Sequence, residues 1–119
     1  MNIPKLPQHK LIAYQVSLRL LEAVMRSRIV DSNLRNQALR AAKKSACLNC
    51  AEGAGRVTPA DKARVFTIAR GEVCEAAAAV EIAALAGEAR AADAHAVAVL
   101  ADRLVALLTG LIRPARVAP

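Results

Sequence analysis

Apolar residues recur along this chain at helical spacing. Leu11, Tyr14, Leu18, Leu21 and Met25 step by three and four, the a/d seam of a packed helix, and a second row of Ile12, Val16, Leu20 and Val24 widens the stripe. Only Gln15, Arg19, Glu22 and Arg26 clearly face water. This pattern predicts a helix over about residues 10–28 with apolar surface for more than one neighbour, inside a bundle or on another subunit. Val65, Ala69, Val73, Ala76, Val80 and Ala83 mark another helix over about 59–85. Val97, Leu100, Leu104, Leu107 and Leu111 give a second heptad seam over about 93–112. Between them, Ala38, Ala41, Ala42, Ser45, Leu48, Asn49 and Glu52 share one face of a helix over about 32–52.

The punctuation agrees. Asp31 or Ser32 is placed to cap the second helix, and Gly53 and Gly55 to stop it. Thr58-Pro59-Ala60-Asp61 reads as an N-cap, a proline at the first helical position and an acid at the third. The stretch 87–92 is the third connection, and Pro114 ends the last helix. Pro4 and Pro7 predict an extended arm over residues 1–9, and residues 113–119 form a frayed tail. Gly71 interrupts the third helix, as expected where another helix or a bulky side chain crosses closely. No strand pattern stands out. The expected fold is all-α, a single-domain antiparallel bundle of four helices running up-down-up-down.

The second helix is unusual because Ser45, Asn49 and Glu52 put polar groups into a stripe of small residues. Buried without partners, each would cost about 1–3 kcal/mol. Arg70 and Glu75 of the third helix are the obvious partners, so Ser45, Asn49, Glu52, Arg70 and Glu75 are expected to form a structural polar network.

Composition adds class and compartment. Alanine dominates, aromatics are only 2% of the chain, and such a composition favours helices that approach closely through small side chains. No apolar run reads as long enough to span a bilayer, and the first ten residues are too polar and proline-rich for a signal peptide. An odd number of cysteines, Cys47, Cys50 and Cys74, all in helical stretches, suits reduced, buried thiols in a cytoplasmic protein. Charge is lopsided. The net +7 comes from residues 1–44, where nine Lys or Arg face two acids, while the remainder balances. That raises the prospect of an anionic partner, nucleic acid first, against the plainer reading of a solvated basic surface.

Catalytic and metal chemistry find little support. Cys47-Leu48-Asn49-Cys50 has C-x-x-C spacing but sits near the end of a helix, where the dipole disfavours a thiolate, and Cys74, His9 and His95 do not complete a zinc site. Glu52, Glu72 and Glu75 lack the following histidines of a di-iron bundle. Gly53-Ala54-Gly55-Arg56 is half a phosphate loop without its Lys-Ser/Thr or preceding strand. The expectation is therefore a protein with no enzyme activity, metal, cofactor or small-molecule substrate. The strongest functional feature is basic: Arg35, Arg40, Lys43, Lys44 and Arg56, with Lys5, Lys10, Arg26 and Arg28 nearby, are candidates to contact phosphates. Aromatics for base stacking are nearly absent, so binding would be driven by backbone and shape.

Several motifs in order resemble one bacterial family. Ser45-x-x-x-Asn49-x-x-Glu52-Gly53, Tyr14-Gln15, Gln37-x-x-Arg40-Ala41-Ala42, Phe66-x-x-Ala69-Arg70-Gly71-x-x-x-Glu75 and Gly110-Leu111-Ile112 are similar to the signature of the four-helix-bundle, 23S rRNA intervening-sequence protein family. The chain departs from it at Glu72, where Ser is usual, and at Ala46 and Cys50, where larger aliphatics are usual. The resemblance implies a four-helix bundle and a homo-oligomer, since known relatives form pentameric rings. It also implies a nucleic-acid context, since family genes lie within ribosomal RNA genes and a distant relative assists a reverse transcriptase of diversity-generating retroelements. Two readings stay open: an oligomeric bundle binding RNA or DNA through a basic surface, or a scaffold for protein partners with no nucleic-acid role. No membrane association is expected in either.

Overall fold

A computed structural model describes residues 4–113; of Lys44 and Ser45 only the backbone is described. Among the described residues there are four long helical rods and no strand. α1 is Ile12–Arg26. α2, residues 32–55, is built from three pieces: Ser32–Arg40, a π-helical segment Ala41–Cys47, and Leu48–Gly55. α3 is Pro59–Leu85 and α4 is Ala91–Ile112. Each helix packs on two neighbours, in the cycle α1–α2–α3–α4. The end of α2 meets the start of α3, and the first half of α3 meets the last turn of α4. This agrees with the expected up-down-up-down course.

Local chemistry sets the boundaries. Asp31 caps α2, its carboxylate accepting from the Leu34 amide at 2.8 Å, and Thr58 caps α3 by accepting from the Asp61 amide at 3.2 Å. Gly87, with φ of 76°, takes the left-handed position after α3, where the amides of Gly87 and Glu88 close back on the carbonyls of Ala84 and Ala83. The Val30 amide donates to the Glu88 carbonyl at 3.0 Å, tying the α1–α2 loop to the α3–α4 loop. The expected extended arm is partly folded. Pro7–Lys10 form a 3-10 turn in which His9 Nδ1 accepts from the Leu6 amide and the His9 ring sits edge-on to Tyr14.

The core is a column of small and branched side chains. α3 contributes the stripe its spacing predicts, Val65, Ala69, Val73, Ala76, Val80 and Ala83, together with Phe66 and Ala79. Two seams differ from expectation by a rotation of the helix. α1 buries Ala13, Val16, Ser17, Leu20 and Val24, while Leu18 and Met25 are exposed and Leu11, Tyr14 and Leu21 are only partly covered. Small Ala13 and Ser17 let α1 approach α2, and the buried Ser17 hydroxyl donates to the Tyr14 carbonyl at 2.6 Å. α4 likewise buries Val97, Ala101, Leu104 and Leu108, with Leu100 and Leu107 at the margin and Leu111 outside.

α2 carries the largest correction. Its first part buries Ala38, Ala41 and Ala42 as expected, but from the end of the π segment onward the buried residues are Ala46, Cys47, Cys50 and Gly53. Continued α-helical phase would have placed Ser45, Asn49 and Glu52 there. A π turn accommodates one extra residue, so the inward face moves forward by one position. Glu52 is exposed and Asn49 half-buried, and the costly burial of polar groups is avoided by a change of register.

Gly53 is where that register is felt most. A Cβ at this position would lie 2.5–2.9 Å from three ring atoms of Phe66, which is itself buried. Gly71, by contrast, is exposed, and nothing within the described chain approaches its missing Cβ, so the expected close crossing is absent within the subunit.

α4 also departs from expectation in its hydropathy. At 22 residues it is long and apolar enough, by length and composition, to cross a bilayer. In the bundle its Val97–Leu108 stripe is core, and Asp102 and Arg103 stand exposed at its middle, where a hydrocarbon environment would be costly.

The two glycines should therefore respond oppositely in chemical denaturation. Gly53→Ala is expected to destabilise the protein by about 1–3 kcal/mol through overpacking against Phe66. Gly71→Ala is expected to be neutral or to stabilise by up to about 1 kcal/mol through helix propensity.

Candidate nucleic-acid interface

Of the basic candidates, the edge between α1 and α2 gathers Arg28, Arg35, Arg40 and Lys43, while Lys10 lies beside the end of α4. Leaving α1, the chain turns at Arg28, whose φ of 46° is left-handed, a position where helices usually place glycine. Arg35, one turn into α2, reaches back so that its Nη1 donates to the Ile29 carbonyl at 3.1 Å, with the Val30 carbonyl at 3.5 Å. Its guanidinium is thus fixed over the loop that the Val30–Glu88 hydrogen bond already holds. Val24, Met25, Ile29 and Leu39 form the apolar walls of a pocket of about 190 Å³, and Arg28, Arg35 and Lys43 are its charged lining. Lys43 and Leu39 are shared with an adjoining depression lined also by Asn36 and Arg40. Arg28, Arg35, Arg40 and Lys43 therefore follow one continuous groove, and no acidic side chain lines either part. A second hollow bordered by Arg28 carries Arg26 and Arg90 together with Glu88 and Asp93, so its charge is mixed and the basic field belongs to the α2 side.

Of the predicted binding residues, Arg35, Arg40 and Lys43 come together, and the Lys44 side chain lies outside the described residues. Arg56 does not join them. It stands at the far end of α2, paired with Glu52 and, at 3.3 Å, with Asp61. Those carboxylates raise its pKa further, the Glu52 hydrogen bond first. Lys62 beside it donates to the Gly53 and Ala54 carbonyls, closing the end of α2. Arg26 is engaged with Glu22, an exposed pair four residues apart. Arg28 deserved more weight than its sequence position suggests, and only its left-handed backbone marks it out.

Among the described residues the predicted polar network is not assembled. Glu52 pairs with Arg56 on the same helix, Arg70 Nε donates to Thr109 Oγ1 at 2.9 Å across the α3–α4 seam, and Glu75 is exposed on α3. Thr109 passes its own proton to the Val105 carbonyl at 2.7 Å. The Ser45 side chain lies outside the described residues. The cause is the π turn, which carries Asn49 and Glu52 out of the α2–α3 interface.

The comparison with known families matches this architecture. The model of the 23S rRNA-intervening sequence protein family covers residues 9–110. The chain belongs to that family. No curated protein matches the sequence. In this family member the C-x-x-C pair is structural. Cys47 and Cys50 are both buried, and the Cys47 thiol donates to the Ser17 carbonyl at 3.3 Å, joining α2 to α1. Burial raises the Cys47 pKa, and burial followed by the neighbouring Cys47 pushes Cys50 up to about 12. Neither is a thiolate near neutrality, which disfavours redox or metal-ligand work.

Two measurements follow from the thiols. Cys74, expected to be buried with them, instead lies on an outward face of α3, so in native protein a thiol reagent should label it rapidly, and Cys47 and Cys50 only on unfolding. Because the folded-state pKa values lie above the ordinary thiol value of 9.0, stability from these groups is complete below about pH 9 and declines as pH rises toward about 12. Denaturation midpoints across that window should fall less in Cys50→Ala than in the parent.

Proposed function

We propose that this protein is a non-enzymatic oligomer that binds the phosphate backbone of RNA or DNA through the α1–α2 groove. The observation that carries this reading is the run of Arg28, Arg35, Arg40 and Lys43 along one groove with no acid lining it. Clustered cations of this kind bind nucleic acid by releasing counterions, and the near absence of aromatics fits backbone recognition. Family membership, in a family described by a ribosomal RNA intervening sequence, points the same way. Protonated, buried thiols and carboxylates engaged with arginines argue against catalysis, and free cysteines suit a reducing compartment such as the cytoplasm.

The oligomer rests on a different face. Outward on α3, Ile68, Gly71, Glu75, Ala78, Ile82 and Leu85 step by three and four, and all are exposed. This is a second heptad seam on the side of α3 opposite the core. A second copy covering this seam suits it better than water does. Pentameric assembly is the form that the family resemblance suggests.

Fluorescence anisotropy with structured RNA and duplex DNA tests the first half. Affinity should fall steeply with salt, and Arg35/Arg40/Lys43→Ala should flatten the log–log salt slope by about 0.9 per lost phosphate contact on B-DNA. Arg56→Ala, outside the groove, should leave the slope unchanged. Absence of binding at low salt would favour a protein scaffold. Light scattering tests the second half: Ile82→Glu should shift the oligomer to monomer without unfolding it, and an unchanged mass would remove α3 from the interface.

A further inference from the structure

The groove contains more than phosphate binding requires. Backbone recognition asks for cations on an open surface, yet here three of them surround an apolar pocket of about 190 Å³ walled by Val24, Met25 and Leu39. That is smaller than the roughly 300 Å³ or more of a site for drug-sized ligands. It exceeds the approximately 150 Å³ cavity that accepts a benzene ring. One ring system fits, with anionic groups at its mouth. A nucleotide has that form, a flat base joined to a phosphate, and duplex DNA or RNA does not present its bases this way.

Arg28 supplies an independent observation. A non-glycine residue in the left-handed region after a helix is disfavoured, and such strain tends to persist where a side chain is needed. Nothing in the turn itself requires arginine, since the α1 end is closed by the Ser27 amide donating to the Val24 carbonyl. Its side chain borders the pocket, and Arg35 across from it is held in place by the Ile29 carbonyl.

We infer that the pocket takes a single unpaired base, with Arg28, Arg35 and Lys43 on the flanking phosphates, so that the protein selects bulged or single-stranded nucleic acid over perfect duplex. The inference rests on the nucleic-acid reading above and adds to it the form of the ligand. The aliphatic walls of Val24, Met25 and Leu39 take the base out of water while the cations hold its phosphates, so selectivity does not need aromatic side chains.

The test compares three RNAs in the same anisotropy assay: a perfect duplex, the same duplex with one bulged adenosine, and the same bulge as an abasic site. The abasic form keeps the phosphate and the flexibility but removes the base. The bulged adenosine should bind at least about fivefold tighter than the other two, a modest gain for taking one face of a base out of water against aliphatic walls. Met25→Ala and Arg28→Gly should bring that ratio towards one, and Arg28→Gly should do so without lowering the melting temperature, because glycine relieves the left-handed turn. Equal affinity for all three RNAs would overturn the base pocket while leaving the phosphate groove standing. Loss of binding to every RNA would overturn the groove itself. A lowered melting temperature in Arg28→Gly with the ratio intact would assign Arg28 to the turn and overturn its role here.

Discussion

The contact of Gly53 with the face of Phe66 fixes how closely α2 can lie on α3, and much of the bundle follows from it. Helices meeting through alanine, cysteine and glycine approach nearer than helices meeting through leucine, and the core is accordingly thin and rich in small side chains. Such packing tolerates little error in register. The polar residues of α2 recur at the spacing that would aim them at α3, and the extra residue of the π segment turns them away. Of the two ways to handle polar groups on a packing helix, pairing them or rotating them out, this chain uses the second for Asn49 and Glu52.

That rotation has consequences at the surface. Glu52 and Arg56, freed from the interface, engage each other at the end of α2, and Asp61 and Arg64 extend the ion pairs into α3. Each such pair is part-exposed and worth little to stability. Charge at this end of the molecule is balanced locally. At the other end of α2, Arg35, Arg40 and Lys43 precede or enter the π segment and meet no acid in the groove they line. The uneven charge of the sequence thus becomes an uneven surface, neutral where α2 meets α3 and basic where it meets α1.

The sequence was informative wherever local rules operate without competition. The cap at Thr58, the cap at Asp31 or its neighbour Ser32, the connection beginning at residue 87 and the buried stripe of α3 were all legible, because capping residues and helical period act over a single turn. The seams of α1 and α4 were only roughly legible. Both helices carry apolar residues over more than half their circumference, and periodicity cannot say which row of a wide stripe faces inward; small Ala13, Ser17 and Ala101 outcompeted larger neighbours because close approach rewards them. The π segment left no propensity signal. A trace was nonetheless present at Ala46 and Cys50, positions where the resembling family carries larger aliphatics, as core positions would. Arg56 was misplaced for a simpler reason: Glu52 precedes it by four residues, a spacing that pairs such side chains on a helix.

The two surfaces argued to carry function lie on different sides of the bundle. α3 packs against α2 and α4 and lies diagonal to α1, so its outward seam faces away from the α1–α2 groove. Copies joined through α3 would leave every groove open to solvent. In the proposed reading, a four-cation groove on one subunit would supply modest, salt-sensitive affinity, and repetition around an assembly would raise the effective concentration of each further contact. A pocket that admits an unpaired base would then act as the selective element on an otherwise indifferent basic ring. Selectivity of this kind suits a small bundle with little surface to spare, because it needs one pocket per subunit and takes its affinity from the number of subunits.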